Sequence, residues 1–166
     1  MILGVSTSTF TLVHVLISLI GIGSGLIALY GLLNGKLLAG WTPLFLVSTV
    51  LTSVTGFLFP VEHLLPSHKV GIISLVVLAI AIAALYLFHL AGKWRAIYVI
   101  SVLMALYLNC FVAVVQSFLK IPALHTMAPN GNEPPFLVAQ TIVLLIFIAL
   151  GIFATKRFRV VPVLAS

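Results

Sequence analysis

The chain has 166 residues, of which 63% are hydrophobic and only 6% are charged, whereas about a quarter of the residues in a soluble domain carry charge. The mean hydropathy of +1.35 therefore excludes a soluble globular domain and indicates a membrane protein. We interpret the net charge of +6 as charge that orients the chain at the bilayer surface, and we expect the lipid bilayer, not nucleic acid, as its partner.

Five apolar segments are long enough, or nearly so, to cross about 30 Å of hydrocarbon as helices. Proline, glycine and charged residues separate them and break the helical pattern. The second segment is the shortest, and without it four spans would remain. The sequence predicts an all-α polytopic membrane protein, a single transmembrane helical domain over residues 1–166 with spans at about 10–33, 42–59, 70–91, 96–119 and 136–155.

Basic residues are distributed unequally between the two sides of this predicted bundle. One side has Lys69 and Lys120 together with both acidic residues, Glu62 and Glu133. The other side has six basic residues, namely Lys36, Lys93, Arg95, Lys156, Arg157 and Arg159. Because cytoplasmic loops are enriched in Lys and Arg, we expect the N-terminus outside and the C-terminus inside.

Four of the five histidines are predicted on the outer side, in the first span or in and beside the outer loops: His14, His63, His68 and His125. The fifth, His89, is predicted at the cytoplasmic end. An ionisable side chain inside a membrane is costly and is a functional-site candidate. We also expect Ser67 to be the N-cap of the third span and His68 to lie in its first turn.

Small and polar residues form stripes on two predicted helices. On the first span the stripe contains a GxxxG motif, and it comprises His14, Ser18, Gly21 and Gly25. On the fourth span it comprises Ser101, Ala105, Asn109, Ala113 and Gln116. Such stripes are typical of helix packing in lipid. We expect Asn109 and Gln116 to face the protein interior, because an amide in hydrocarbon without a partner costs on the order of a few kcal/mol.

The first functional hypothesis is a membrane electron-transfer protein with one b-type haem near the outer face. Neutral imidazoles on separate helices suit haem iron, and small residues leave room for the macrocycle. We expect His14 and His68 to be the axial ligands, with His63 or His125 as a replacement. The amides of Asn109, Gln116 and Gln140 would line a quinone site, since a quinone carbonyl needs hydrogen-bond donors in an apolar pocket.

Two alternatives remain open at this point. The same four histidines with Glu62 or Glu133 could form a non-haem site for zinc, copper or iron, and Met127 near His125 would favour copper. Alternatively, the chain is an accessory or scaffold subunit without a cofactor, and its polar stripes pack against a membrane-protein partner or a second copy.

The C-terminal third resembles a known sequence pattern. The stretch LYLNCFVAVVQSFLKIPALH (residues 106–125), followed by EPPFLVAQ (residues 133–140), is similar to a pattern in an uncharacterised family of small bacterial inner-membrane proteins. This resemblance implies a multi-pass protein of the bacterial cytoplasmic membrane and brings no activity with it.

The predicted orientation can be tested with topology reporters. A reporter fused after Gly35 should be cytoplasmic, and one fused after Asn130 should be extracytoplasmic, because of the unequal basic charge. The reverse pair of results would contradict the orientation and the assignment of the histidines to the outer side.

Overall fold

The computed structural model describes Ile2, residues 4–60 and residues 66–159, with only the backbone of Pro66. Within these residues the chain is helical: α1 (Thr7–Leu33), α2 (Trp41–Gly56), α3 (Pro66–Ile82), α4 (Trp94–Lys120), α5 (Pro122–Met127) and α6 (Pro134–Arg157). Among these helices α1, α3 with the turn that follows it, α4 and α6 are long and apolar enough to cross a membrane. The predicted all-α polytopic membrane fold is confirmed.

Helix α2 is the short element, as the sequence indicated. Its 16 residues span roughly 24 Å, which is less than the hydrocarbon thickness of about 30 Å. It nevertheless runs antiparallel to α1 along its length. Phe45 near its beginning packs against Gly25, and Thr55 near its end bonds to His14. Helix α2 also packs against α3, so it connects the first and third helices.

Helix α4 is the centre of the bundle. It packs against α1, α3 and α6, and its buried residues Val99, Val102, Ala105 and Leu106 belong to the main hydrophobic core. Helix α6, by contrast, is peripheral, because Gln140 and Ala154 are its buried residues while much of its apolar surface is exposed. In a membrane protein this surface faces lipid.

The connections follow from their sequences. Helix α1 ends at Leu33 with Asn34 as its C-cap, and Gly35 then adopts a left-handed conformation (φ 73°). The backbone N–H of Lys36 then donates to Gly31 O at 2.8 Å, and that of Gly35 donates to Leu32 O at 3.0 Å. This pair of bonds is the Schellman arrangement, which satisfies the last carbonyls of a helix and favours glycine.

The segment before α6 is organised by one carboxylate. Glu133 accepts hydrogen bonds from the backbone and side chain of Asn130, at 3.0 and 2.8 Å, and from the backbone of Asn132 at 3.1 Å. Desolvation raises the pKa of Glu133, but these hydrogen bonds outweigh it and keep the pKa below its ordinary value. Pro134 then begins α6, at the position where a helix tolerates proline.

Helix α3 differs from the prediction at both ends. It begins at Pro66, so Ser67 lies inside the first turn and the prediction that Ser67 is the N-cap is wrong. Proline is favoured as a first helical residue because its fixed φ suits the helix and its missing N–H would have no partner there. His68 does lie in the first turn. At the other end, α3 continues into one π-helical turn, Ala83–Leu87.

The antiparallel helices give the bundle two chemically different ends. The histidine end contains the start of α1, the start of α3 and the end of α4, with His14, His68, Lys69, Lys120, His125 and Glu133. The basic end contains the end of α1, the start of α4 and the end of α6, with Lys36, His89, Lys93, Arg95, Lys156, Arg157 and Arg159. The predicted division of charges between two sides is therefore reproduced by the helix arrangement.

A substitution at Gly25 should destabilise the bundle. A Cβ atom there would lie 2.6 Å from Leu106 Cδ1 and 2.7 Å from Phe45 Cδ2, whereas a Cβ at Gly23 would have nothing within 4 Å. We expect Gly25→Val to lower the free energy of unfolding by about 1–3 kcal/mol, the usual cost of overpacking. Gly23→Val, on the same helix, should have little effect. Denaturant titration in mixed micelles measures both, and equal values would contradict the close approach.

Candidate cofactor site at the histidine end

His14 lies two turns into α1 and is half-buried against the end of α2. Its Nδ1 is 2.7 Å from Thr55 Oγ1, and its ring meets the ring of Phe59 edge-on at a centroid distance of 5.2 Å. Gly56 lies beside the imidazole, since a Cβ there would be in ordinary van der Waals contact with His14 Cε1 at 3.8 Å. His14 therefore packs against the segment from Thr55 to Phe59.

The hydrogen bonds of Thr55 decide the tautomer of His14. Thr55 Oγ1 lies 2.7 Å from Leu51 O, and a carbonyl oxygen can only accept. The single hydroxyl hydrogen is thus used toward the backbone, so the Thr55 oxygen accepts from His14. His14 Nδ1–H is the donor, and in the neutral ring the lone pair is then on Nε2. This is the tautomer of a metal-binding histidine whose other nitrogen is oriented by a hydrogen bond.

His68 lies in the first turn of α3, a helix that packs against α2. It is buried, with 7% of its surface exposed, and its ring is tilted against that of Phe57 at a centroid distance of 5.5 Å. The Phe57 ring also packs on Gly71, where a Cβ would lie 3.1 Å from Phe57 Cζ. Both histidines therefore contact the same short segment at the end of α2, one from α1 and one from α3.

The other predicted ligands fall in different places. Glu62 and His63 lie outside the described residues. His125, on the short helix α5, is exposed, and His89 is exposed at the basic end. Within residues 4–60 and 66–159, three or more His, Cys, Asp or Glu side chains do not come together in a group that could hold a metal ion.

Asn109 faces the protein interior, as predicted. Its Nδ2 donates to Thr49 Oγ1 at 3.1 Å, and Thr49 is fully buried. Gly21 of α1 lies against both groups, because a Cβ there would be 3.3 Å from Thr49 Oγ1 and 3.5 Å from Asn109 Nδ2. Three helices thus meet around one hydrogen bond in the membrane-spanning region. A second interhelical bond, from Ser53 Oγ to Ser74 Oγ at 3.2 Å, joins α2 to α3.

The prediction that Gln116 faces the interior is wrong, because its side chain is exposed. Gln116 shares the angular face of Asn109, but it lies one turn before the end of α4 at Lys120. Near a helix end fewer neighbouring residues cover a given face, so the same angle no longer implies burial. The side chain can reach polar surroundings there without an interhelical partner.

Gln140 is buried, with 9% of its surface exposed, at the depth of Asn109. Its Nε2 donates to Phe111 O at 3.1 Å, which fixes the amide orientation because a carbonyl only accepts. Its Oε1 is buried and has no hydrogen-bond partner among the described residues. Thr52 Oγ1 on α2 is likewise buried without a hydrogen-bond partner among the described residues. A buried acceptor without a partner is costly, so Gln140 is a candidate ligand-binding residue.

Thr55, Phe57 and Phe59 contact the two histidines but do not stand out in the sequence pattern. A signal existed in the spacing. In an antiparallel pair of helices, moving forward on one helix corresponds to moving backward on the other. If Gly21 faces Thr49, then Thr55, six residues after Thr49, must face a residue six or seven positions before Gly21. That residue is His14. That pairing needs the register of the two helices, which only their packing supplies.

Comparison of the chain with protein-family models, with curated proteins and with solved structures gave no match.

The hydrogen bond between Asn109 and Thr49 should be measurable as a coupling. In a double-mutant cycle of Asn109→Leu and Thr49→Val, we expect a coupling free energy of about 0.6 kcal/mol and at most about 1.7, the range for hydrogen bonds between membrane helices. Gln116→Leu on the same helix should change the free energy of unfolding by less than about 0.5 kcal/mol, as surface substitutions usually do. A larger effect of Gln116→Leu than of Asn109→Leu would contradict these orientations.

Proposed function

We propose that this chain is a membrane electron-transfer protein that binds one b-type haem at its histidine end, where His14 and His68 would hold it. The observation that carries the proposal is the hydrogen bond from His14 Nδ1–H to Thr55 Oγ1, which leaves the Nε2 lone pair for iron. Haem supplies one-electron redox chemistry when it is bound.

The contribution of the chain is to orient and shelter the two imidazoles. Thr55 sets the tautomer and ring angle of His14, and the Phe57 and Phe59 rings supply apolar surface beside His68 and His14. In this proposal His14 would hold the haem from α1 and His68 would hold it from α3. His63 and His125 remain candidates to replace one of these two ligands. His63 lies outside the described residues, and His125 is exposed on α5.

The electron donor in this proposal is a quinol in the membrane. The unpaired acceptor Gln140 Oε1 suits a quinol hydroxyl, which can donate, better than a quinone carbonyl, which cannot. Asn109 lies at the same depth with its Nδ2 engaged by Thr49, and Gln116 is exposed nearer the membrane surface. The protein would reside in the bacterial cytoplasmic membrane, with the histidine end outside.

Absorption spectroscopy of the protein purified in a mild detergent tests the proposal. We expect the strong near-ultraviolet and visible bands of haem. His14→Ala and His68→Ala should each abolish or shift these bands, because each removes one residue that would hold the haem, while His89→Ala should leave them unchanged because His89 is at the other end. A colourless and metal-free protein would refute the proposal.

Thr55 provides a sharper test of the tautomer argument. Thr55→Val removes the acceptor for His14 Nδ1–H, and loss of such an orienting partner typically costs 10–100-fold in metal affinity. Thr55→Ser keeps the hydroxyl and should retain wild-type haem affinity and reduction potential. If both variants behave alike, Thr55 does not position the ligand.

The second candidate is an accessory subunit without a cofactor. The observation that favours it is the large exposed apolar surface of α6. Gln140 and Ala154 are the buried residues of this helix. In this alternative a helix of a partner subunit or a second copy covers part of that surface. A colourless protein that elutes as a stoichiometric complex would support it over the haem protein.

A further inference from the structure

The surface between α4 and α6 contains an apolar groove of about 500 Å³. Residues of both helices line it, including Ile100, Met104 and Tyr107 on α4 and Leu144, Gly151 and Lys156 on α6. Gly151 leaves its middle open, because a Cβ there would have nothing within 4 Å. The rings of Tyr107 and Phe147, with centroids 5.7 Å apart, pack edge to face toward its inner end.

The groove has the length and direction of a lipid chain. It extends along α6 from Leu144 to Lys156, twelve residues or roughly 18 Å, and one leaflet of hydrocarbon is roughly 15 Å thick. One end of the groove is therefore near the bilayer midplane, and the other is at the membrane surface, where Lys156 is exposed. A single acyl chain can lie along its whole length.

Among the described residues, the polar end of the groove has cationic groups and no Asp or Glu side chain in the segments around it. The sequence segments at the basic end, residues 34–40, 88–93 and 156–159, contain no Asp or Glu. Arg95 is used internally, because its Nη1 donates to Thr155 O at 3.1 Å and to Phe158 O. Lys156 and Arg157 are exposed in the last turn of α6. Anionic phosphate at the membrane surface is the group that complements such charges.

We propose that the α4–α6 groove is a specific site for an anionic phospholipid. One acyl chain lies in the groove over Gly151, and Lys156 binds the headgroup phosphate. Apolar side chains alone would accept any lipid, so the preference for an anionic headgroup arises from Lys156 and the basic end. This proposal is independent of the haem, which would be bound at the opposite end.

Lipid retention by the purified full-length chain tests the site. The protein is equilibrated in detergent micelles that contain equal amounts of phosphatidylglycerol and phosphatidylcholine with identical acyl chains, and bound lipids are counted by native mass spectrometry. We expect wild type to retain phosphatidylglycerol in preference. Lys156→Gln should reduce this preference roughly fivefold, the effect of one cation near an anionic surface, whereas Lys69→Gln, at the histidine end, should not.

Gly151→Leu probes the groove itself. The added side chain occupies the space of the acyl chain, so retention of both lipids should fall, whereas Gly23→Leu on lipid-facing α1 should retain lipid as wild type does. Met104→Trp narrows the same groove from α4 and should also lower retention of both lipids. It replaces Gly151→Leu in the test if that variant does not elute as a folded protein.

Equal retention of the two lipids by wild type would overturn the proposal. So would wild-type retention by both groove variants. A change of oligomeric state in Gly151→Leu, with lipid binding unchanged, would also overturn it and would assign the groove to a helix of a second copy. Native mass spectrometry counts lipids whether or not haem is present. A colourless protein that retains phosphatidylglycerol would therefore refute the haem proposal and support the lipid site.

Discussion

The close approach of α1 to α2 and α4 at Gly21 and Gly25 is the constraint on which the rest of the structure depends. A Cβ at Gly25 would overlap the side chains of Leu106 and Phe45, so the three helices can reach this separation only where a side chain is missing. In lipid there is no hydrophobic force that drives helices together, and close packing with interhelical hydrogen bonds takes its place. The GxxxG motif of α1 contributes to both the close packing and the hydrogen bonding. Gly25 allows the close approach, and Gly21 lies against the Asn109–Thr49 hydrogen bond.

This approach fixes the register of α1 and α2, and the register determines what surrounds His14. Phe45 is opposite Gly25, Thr49 is opposite Gly21, and Thr55 is opposite His14, in one continuous antiparallel pairing. A shift of α2 by one turn would separate Thr55 from the imidazole and leave an ionisable side chain in the membrane without its partner, which is costly. The tautomer of His14 is thus a consequence of helix packing more than ten residues away.

The two ends of the bundle use their charges differently. At the histidine end, Glu133 accepts hydrogen bonds from Asn130 and Asn132, and the imidazoles of His14 and His68 pack against aromatic rings. At the basic end, Arg95 from the start of α4 caps the last carbonyls of α6, where a cation is also favoured by the helix dipole. Lys156 and Arg157 at that end are exposed, and in the proposed lipid site the acidic groups that balance them belong to lipid.

The sequence by itself determined the class of the fold, the approximate limits of the long helices, the division of charges between two ends, and the interior orientation of Asn109. These properties depend on local sums of hydropathy and on helical periodicity, which neighbours on other helices do not alter. Only the tertiary structure decided the exposure of Gln116 and the packing of His14 against Thr55 and Phe59. Each of these depends on which residues of other helices lie at the same depth, and the register of packed helices is set by side-chain contacts distant in the chain.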